Sequence, residues 1–284
     1  MLKLSLIKSI LLMWCIAMTG CLSEWPSHLE NFEQRRLNTS DLISQIDAID
    51  FVYINGGEFT MGSDEGSSSE QPAHQVSVPP FEMTRTEITV AQYKACVDLG
   101  PCQVPENPPY GYLFFSSDCN WDHSDRQTHP INCLTWSQAR TFAQWIGADL
   151  PSEAQWEFAA KGGMNNTFKY AGSNDLDPIA WFAENTYTSQ PVGLKNPNGY
   201  GLHDLSGNVS EWVLDEIRPY ASTPTDGSPY CTCFDCSFGC GTTKDRVYRG
   251  GSWEGSTTIT ARPNGRAYQG LHTIGLRCVK NIND

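Results

Sequence analysis

The chain has 284 residues, with 19 Lys and Arg against 32 Asp and Glu and a formal net charge of −13. This acidic balance excludes a generally basic nucleic-acid-binding surface, and we expect no nucleic-acid partner. Hydrophobic residues make up 39% of the chain, which excludes an intrinsically disordered protein. The 24 Gly and 17 Pro favour a loop-rich domain over a helical bundle, and the 11 Cys favour an oxidising compartment.

The first 20 residues have the pattern of a bacterial lipoprotein signal peptide. Lys3 and Lys8 precede a short apolar run, Ile10 to Met18, that is too short for a comfortable membrane span. The small residues before Cys21 resemble a lipobox, in which the cysteine becomes the lipidated first residue. We therefore expect the mature protein to be attached by its lipid to a membrane of the bacterial cell envelope. An uncleaved anchor, or cleavage elsewhere, is the alternative.

Residues 21–50 show no strong strand pattern and are expected to form a tether, with a loose amphipathic helix over Leu29 to Ile49 as the alternative. Residues 51–284 are expected to form one domain. Its first element is a predicted β-hairpin, since the β-rich run Phe51–Ile54 and the run Glu58–Gly62 flank Asn55-Gly56-Gly57.

Three helix starts have the same capping-box chemistry, in which a hydroxyl residue and a Gln three positions later each cap the other's backbone amide. They are Thr89–Gln92, Thr135–Gln138 and Ser152–Gln155. The second helix carries apolar residues on one face, and glycines follow each helix as stop signals. Two or three short helices on a loop-heavy β framework predict an α+β domain with little regular secondary structure.

A series of motifs in fixed order resembles the formylglycine-generating enzyme, or sulfatase-modifying factor, family. The motifs are Gly56–Ser63, Thr86–Tyr93, His129–Trp136, Leu150–Ala160, Pro197–Trp212, Arg249–Trp253 and Ile274–Cys278. The resemblance covers about Phe51 to Val279 and implies a C-type-lectin-like variant fold. This family includes a copper-dependent oxidase that converts a sulfatase cysteine to formylglycine, iron-dependent sulfoxide synthases, and envelope proteins with no known reaction. The fold therefore does not fix the function.

The oxidase of that family carries a pair of thiolates, which suit the soft ion Cu(I), between its Gly-Gly-Ser-aromatic motif and its final motif. The matching window here, Glu254 to Arg277, contains no cysteine. Ungapped spacing from Gly250 puts the pair at Thr260 and Gly265, neither of which binds Cu(I). We therefore expect no bound copper, no catalytic residue of this type, and a non-catalytic binding or scaffold protein with an unidentified envelope protein or ligand as partner. The alternatives are a formylglycine-generating oxidase using displaced cysteines from residues 231–240, or another metal-dependent oxidase on the same fold.

The remaining cysteines suggest disulfides. Cys96 with Cys102, and Cys119 with Cys133, have spacings that can close short loops, although crossed pairing of the same four residues stays open. A tight cluster follows at Cys231, Cys233, Cys236 and Cys240. Two disulfides are favoured there over a zinc or copper site. Cys278 is then left over and is expected to be a buried thiol.

The loop from Asp204 to Glu211 resembles a structural calcium site of the family. Carried over residue by residue, the ligands are Asp204, Gly207, Val209 and Glu211. Carboxylate and carbonyl oxygens are the hard ligands that Ca²⁺ takes. The alternative is that Asp204 and Glu211 only cap turns.

Overall fold

The computed structural model describes residues 39–105, 118–163, 166–232, 236, 245–256 and 258–282. The predicted signal peptide, Cys21, Cys233 and Cys240 lie outside the described residues. The chain divides into two compact units after Ser44, and the domain described below is Gln45–Asp284. In the part of the chain that the structure describes, no helix has both the length and the apolarity needed to cross a membrane.

Small sheets provide the β framework. Among the described residues the strands are β1 Phe51–Ile54, β2 Gly57–Met61, β3 His74–Val78, β4 Phe81–Thr84, β5 Ser210–Glu216, β6 Asp245–Arg249, β7 Gly251–Ser252, β8 Gly255–Ser256, β9 Asn264–Arg266, β10 Ile274–Gly275 and β11 Val279–Asn281. They pair in the orders β1-β4-β11, β2-β3, β10-β5-β6-β9 and β7-β8. Strand β5 is buried over its whole length and runs through the middle of the four-stranded sheet.

The hairpin predicted at Asn55-Gly56-Gly57 is wrong, although both of its strands form. Strand β1 pairs with β4, and β2 pairs with β3, so the two strands enter different sheets. A Cβ at Gly56 would lie 2.3 Å from the carbonyl oxygen of Val78, and Gly56 has φ +68°. Gly56 therefore allows the chain to pass close to the Val78 backbone as it leaves one sheet for another. The same Asn-Gly-Gly sequence is also typical of hairpin turns, so the sequence alone does not distinguish the two.

The three capped helices are α1 Val90–Leu99, α2 Trp136–Trp145 and α3 Glu153–Lys161, and residues 39–47 form a further helical segment. All three capping boxes are present. In α3, for example, Ser152 Oγ accepts from the Gln155 amide at 3.1 Å, and Gln155 Oε1 accepts from the Ser152 amide at 2.9 Å. Each cap satisfies two amides that a helix start otherwise leaves without a partner.

Two hydrophobic clusters fill the domain. Helix α3 packs its Trp156 in the first cluster, with β2, β3 and β4. Helix α2 packs Ala139, Phe142 and Ala143 in the second, beside Trp212 of β5. Ile46 and Ile49, in the segment expected to be a tether, also pack against the second cluster. Strand β5 contributes to both clusters, with Val213 in the first and Trp212 in the second.

The described residues form three disulfides: Cys96–Cys102, Cys119–Cys133 and Cys231–Cys236. The first two are the pairs favoured from sequence spacing. Cys278 is a buried free cysteine, as expected, and burial raises the pKa of its thiol. The third disulfide closes part of the cysteine cluster without the other two members of that cluster.

Candidate functional site

In this chain, Thr260 of the segment Glu254 to Arg277, which corresponds to the thiol-bearing segment of the oxidase, makes structural contacts. Thr260 Oγ1 donates to Glu70 Oε2 at 2.6 Å, and the Thr260 carbonyl accepts from Arg249 Nη1 at 3.3 Å. Thr260 therefore lies at the edge of a buried charge network. Its hydroxyl is hydrogen-bonded to Glu70, which indicates a structural role.

That network joins helix α3 to strand β6 and to the segment that precedes β9. Arg249 pairs with Glu153 at 3.0 Å and Glu157 at 2.5 Å, and Arg262 pairs with Glu153 at 2.6 Å. All four side chains are at most 1% exposed. Buried charges are tolerated when they are paired and hydrogen-bonded, and breaking one such pair is strongly destabilising.

Gly265 is the second position of the expected pair, and it lies in β9 opposite Arg246 of β6. A Cβ at Gly265 would lie 3.3 Å from Tyr248 Cε1 and 3.6 Å from Trp212 Cη2. Opposite residues in an antiparallel pair point to the same face of the sheet. Gly265 thus belongs to a face that also carries Trp212, Tyr248 and Arg246.

The same face carries the Cys231–Cys236 disulfide. Arg246 Nη1 lies 3.6 Å from Cys231 Sγ, and its guanidinium stacks over the Trp136 ring at 4.1 Å from the ring centroid. Arg140 also stacks on Trp136 at 5.4 Å, and its Nη1 donates to the Cys236 carbonyl. Two arginines therefore hold the disulfide next to the sheet.

The calcium-like loop is organised around an ion pair. Arg277 Nη2 and Glu211 Oε1 are 2.9 Å apart, Arg277 Nε contacts both carboxylate oxygens at 3.1 Å, and Trp156 Nε1 donates to Glu211 Oε2 at 2.6 Å. Both charged residues are fully buried. Because an arginine and an indole already hold both oxygens, the Glu211 carboxylate is satisfied by the protein itself.

Asp204 is different, since it keeps an oxygen without a partner. It has φ +58°, is buried, and its Oδ2 accepts from the Gly193 amide at 2.7 Å. Among the described residues, Asp204 Oδ1 and both carboxylate oxygens of buried Glu87 have no hydrogen-bond partner. Burial, and next the charge of Asp204, raise the pKa of Glu87 well above its ordinary value, whereas Arg277 lowers it.

The predicted calcium ligands fit a cation only in part. Asp204 offers a free buried oxygen, but Glu211 is occupied by Arg277 and Trp156. Gly207 has φ +88°, and a Cβ there would lie 2.3 Å from the Trp181 carbonyl oxygen, so close packing also explains the glycine. Within the described ranges, no three His, Cys, Asp or Glu side chains are grouped to hold a metal ion. Calcium at this loop stays a prediction.

A pocket of about 270 Å³ is lined in part by residues of the Thr86–Tyr93 motif. Its lining includes Ile49, Asp50, Arg85, Thr86 and Val192. The Arg85–Asp50 ion pair, at 2.5 Å, gives its rim both charges. The pocket has the mixture of apolar walls and a few polar groups that small-ligand sites use.

Sequence reasoning missed Glu87, Arg246 and Arg277 as parts of these sites. Glu87 and Arg277 lie inside recognised motifs, each next to an apolar residue that is buried, Ile88 and Leu276. A charged residue within such a run is a usable signal for a buried ion pair. Arg246 carries no such signal, because its partners are brought together only by the fold.

Comparisons with known proteins agree with this architecture. The family model of the sulfatase-modifying factor enzyme 1-like domain matches residues 40–282 of this chain. A formylglycine-generating enzyme of Streptomyces coelicolor is 28% identical, covering 82% of this chain and 89% of its own. A serine/threonine-protein kinase, pkn1 of Chlamydia pneumoniae, is 31% identical over 82% of this chain, which spans 38% of the kinase. Among solved structures, PvdO from Pseudomonas aeruginosa has a TM-score of 0.65 and 22% identity, covering 82% of this chain and 94% of that one.

Proposed function

Because the chain belongs to the sulfatase-modifying factor enzyme 1-like domain family, we propose that it is a bacterial cell-envelope lipoprotein whose domain binds or scaffolds an envelope partner. In this proposal the family's copper-bound thiol pair is absent. The observation that carries it is the lack of any cysteine between Glu254 and Arg277. The contacts of Thr260 with Glu70, and of Gly265 with Trp212 and Tyr248, support a structural use of both expected positions.

The catalytic half of the proposal is tested with a Cys-x-Pro-x-Arg peptide, copper(I) and oxygen. The full chain is expected to leave the peptide unchanged by mass spectrometry. The formylglycine-generating enzyme of Streptomyces coelicolor is the matched positive control under identical conditions. Formylglycine formation by this chain above the enzyme-free rate would overturn the proposal.

The alternative oxidase, with displaced cysteines, is favoured by one observation. Cys231 and Cys236 lie on the same sheet face as Gly265, where one thiol of the family pair is expected. The peptide assay is therefore repeated with Cys231→Ser. Conversion by the unmodified chain that this variant abolishes would support the alternative, whereas conversion by neither protein supports the binding function.

The lipoprotein half is tested in cells with a clickable fatty acid. The chain is expected to carry the label and to fractionate with membranes. Cys21→Ser is expected to lose the label, and Cys15→Ser, which changes the other cysteine of the N-terminal segment, is the matched control that keeps it. Absence of label from the unmodified chain would refute lipidation and leave the domain's function open to the other tests.

The partner is sought at the pocket beside Asp50 and Arg85. A photo-crosslinker placed at Asp50, whose side chain is 57% exposed and lines the pocket, is compared with one at the exposed Tyr187, which is not part of the lining. Both variants are expected to leave the fold intact, and a crosslinked envelope component specific to the Asp50 position would support binding near this pocket. Equal crosslinking from both positions would count against it.

A further inference from the structure

We propose that Cys231–Cys236 is a reactive disulfide, which exchanges with a protein dithiol in the envelope and is attacked at Cys231. This activity is separate from the binding function and from formylglycine chemistry. It would let the domain oxidise, or capture as a mixed disulfide, a thiol-bearing partner.

Accessibility distinguishes this disulfide from the other two. Cys96, Cys102, Cys119 and Cys133 are all at most 8% exposed, and Cys236 is also buried. Cys231 is half-buried, so it is the only disulfide-bonded cysteine of the described residues that solvent reaches to this degree. A disulfide with one accessible and one buried sulfur presents a defined point of attack to an incoming thiolate.

Electrostatics favours the same sulfur. The Arg246 guanidinium is 1% exposed and has Nη1 3.6 Å from Cys231 Sγ. Among the described residues, its nearest carboxylate contact is long, at 4.0 Å to Glu216 Oε1, its Nη1 also donates to the Leu214 carbonyl at 2.5 Å, and its Nε has no hydrogen-bond partner. A buried cation with incomplete compensation stabilises a thiolate placed next to it.

The second arginine holds the partner cysteine in place. Arg140 pairs with Asp149 at 2.9 Å and donates to the Cys236 carbonyl, so its charge is largely compensated. On the other side, the Tyr230 amide donates to Asp215 Oδ1 at 2.8 Å, which fixes the segment leading to Cys231. Both half-cystines are thus held by their backbones, while Cys231 carries the accessible sulfur.

The exchange balances without any other reactant. A substrate thiolate attacks Cys231 Sγ, the Cys231–Cys236 bond breaks, and Cys236 leaves as a thiolate that takes up a proton. The second substrate thiolate then attacks the substrate sulfur of the mixed disulfide, and Cys231 leaves as a thiolate beside Arg246. Two electrons pass from the substrate, which becomes a disulfide, to the protein, which becomes a dithiol. Stabilising the Cys231 thiolate makes the protein disulfide the stronger oxidant.

The test equilibrates the full chain in glutathione redox buffers of graded ratio, followed by acid quench, alkylation and peptide mapping. A Cys233→Ser/Cys240→Ser background removes the two other cysteines of the cluster. Cys231–Cys236 is expected to be half-reduced at a buffer at least about tenfold more oxidising than Cys96–Cys102 or Cys119–Cys133, the internal controls. Reduction of all three together, or a map that lacks the Cys231–Cys236 pair, would overturn the proposal.

The role of Arg246 is tested in the same assay. Arg246→Met keeps a long side chain over Trp136 but removes the charge, and it is expected to shift the midpoint about tenfold toward more reducing buffer. Arg246→Lys is expected to restore part of the shift. In a Cys236→Ser variant, alkylation of Cys231 should show a thiol pKa below the ordinary value of about 8.5. Loss of that lowered pKa in Arg246→Met supports the assignment, and an identical alkylation profile with and without Arg246 refutes it.

Discussion

Replacing the Arg277 guanidinium by an uncharged group tests whether Glu211 is stabilised by this ion pair. In Arg277→Met, the fully buried Glu211 carboxylate keeps only its indole donor from Trp156. Breaking a buried pair by removing one partner costs about 3–5 kcal/mol. Arg277 also donates to the carbonyls of Thr84 at 2.6 Å and His203 at 2.7 Å, which places the expected loss of unfolding free energy at the upper end of that range.

The assay is urea unfolding followed by tryptophan fluorescence with the disulfides intact. With a denaturant slope of about 2–3 kcal/mol/M, the midpoint of Arg277→Met should fall by about 2 M. Arg85→Met is the matched control, because the Arg85–Asp50 pair has side chains that are 41% and 57% exposed. Exposed pairs contribute about 0–1 kcal/mol, so its midpoint should change little. Equal midpoints for the two variants would refute the reasoning.

A milder change keeps the test usable if Arg277→Met does not fold. Glu211→Gln preserves shape and one acceptor for Arg277, which also keeps the Thr84 and His203 carbonyls, so it should cost less than Arg277→Met, about 1–3 kcal/mol. In the double variant with Arg277→Met, part of the loss should be recovered, since no uncompensated charge at Glu211 remains. If calcium instead held Glu211, EDTA would lower the midpoint of the unmodified chain as much as Glu211→Gln does. A lower midpoint in EDTA than in calcium would support the calcium prediction, and equal midpoints would refute it.

Three further predictions follow from buried groups. Burial and the neighbouring Glu153 raise the pKa of Asp215 from 3.8 to about 7, so the folded state keeps a proton that the unfolded state releases. Stability should therefore fall between about pH 4 and pH 7, by on the order of 4 kcal/mol at most; Asp215→Asn should flatten the pH dependence of the urea midpoint, and an unchanged slope would contradict this. Glu87→Gln removes a carboxyl whose oxygens have no partner among the described residues, so the urea midpoint at pH 7 should stay equal or rise; a loss matching that of Glu211→Gln would contradict this. Replacing both cysteines of Cys96–Cys102 by Ala should cost about 2 kcal/mol, against about 3 for the longer loop of Cys119–Cys133, and the reverse order in thermal unfolding would contradict the chain-entropy argument.

The parts of the fold that the sequence predicts are those set by neighbouring residues. Each capping box needs only residues three positions apart, and the Thr89, Thr135 and Ser152 boxes all form. The Cys96–Cys102 pair is similarly local, at a separation of six residues. Strand pairing is not local, and the hairpin at Gly56 fails for that reason. The strand sequences are correct, but their partners are selected by burial in different sheets.

The candidate site depends on contacts between residues far apart in the sequence, which residue spacing does not predict. Arg277 and Glu211 are 66 residues apart, and Arg249 and Glu157 are 92 apart. The calcium-like motif therefore pointed to Glu211 as a metal ligand without revealing Arg277, which forms an ion pair with it. Arg246 beside Cys231 shows the same limit. The cysteine spacing suggested a cluster, but the charge that would tune its chemistry comes from a strand of the neighbouring sheet.

The helix caps that use glutamine carry no group that titrates, so their hydrogen bonds do not depend on pH. A Glu at the same position would lose its acceptor charge on protonation, so helices capped in that way weaken in acid. Gln92, Gln138 and Gln155 hold the cap amides as neutral groups. The hydrogen bonds that begin these three helices should therefore not change with pH.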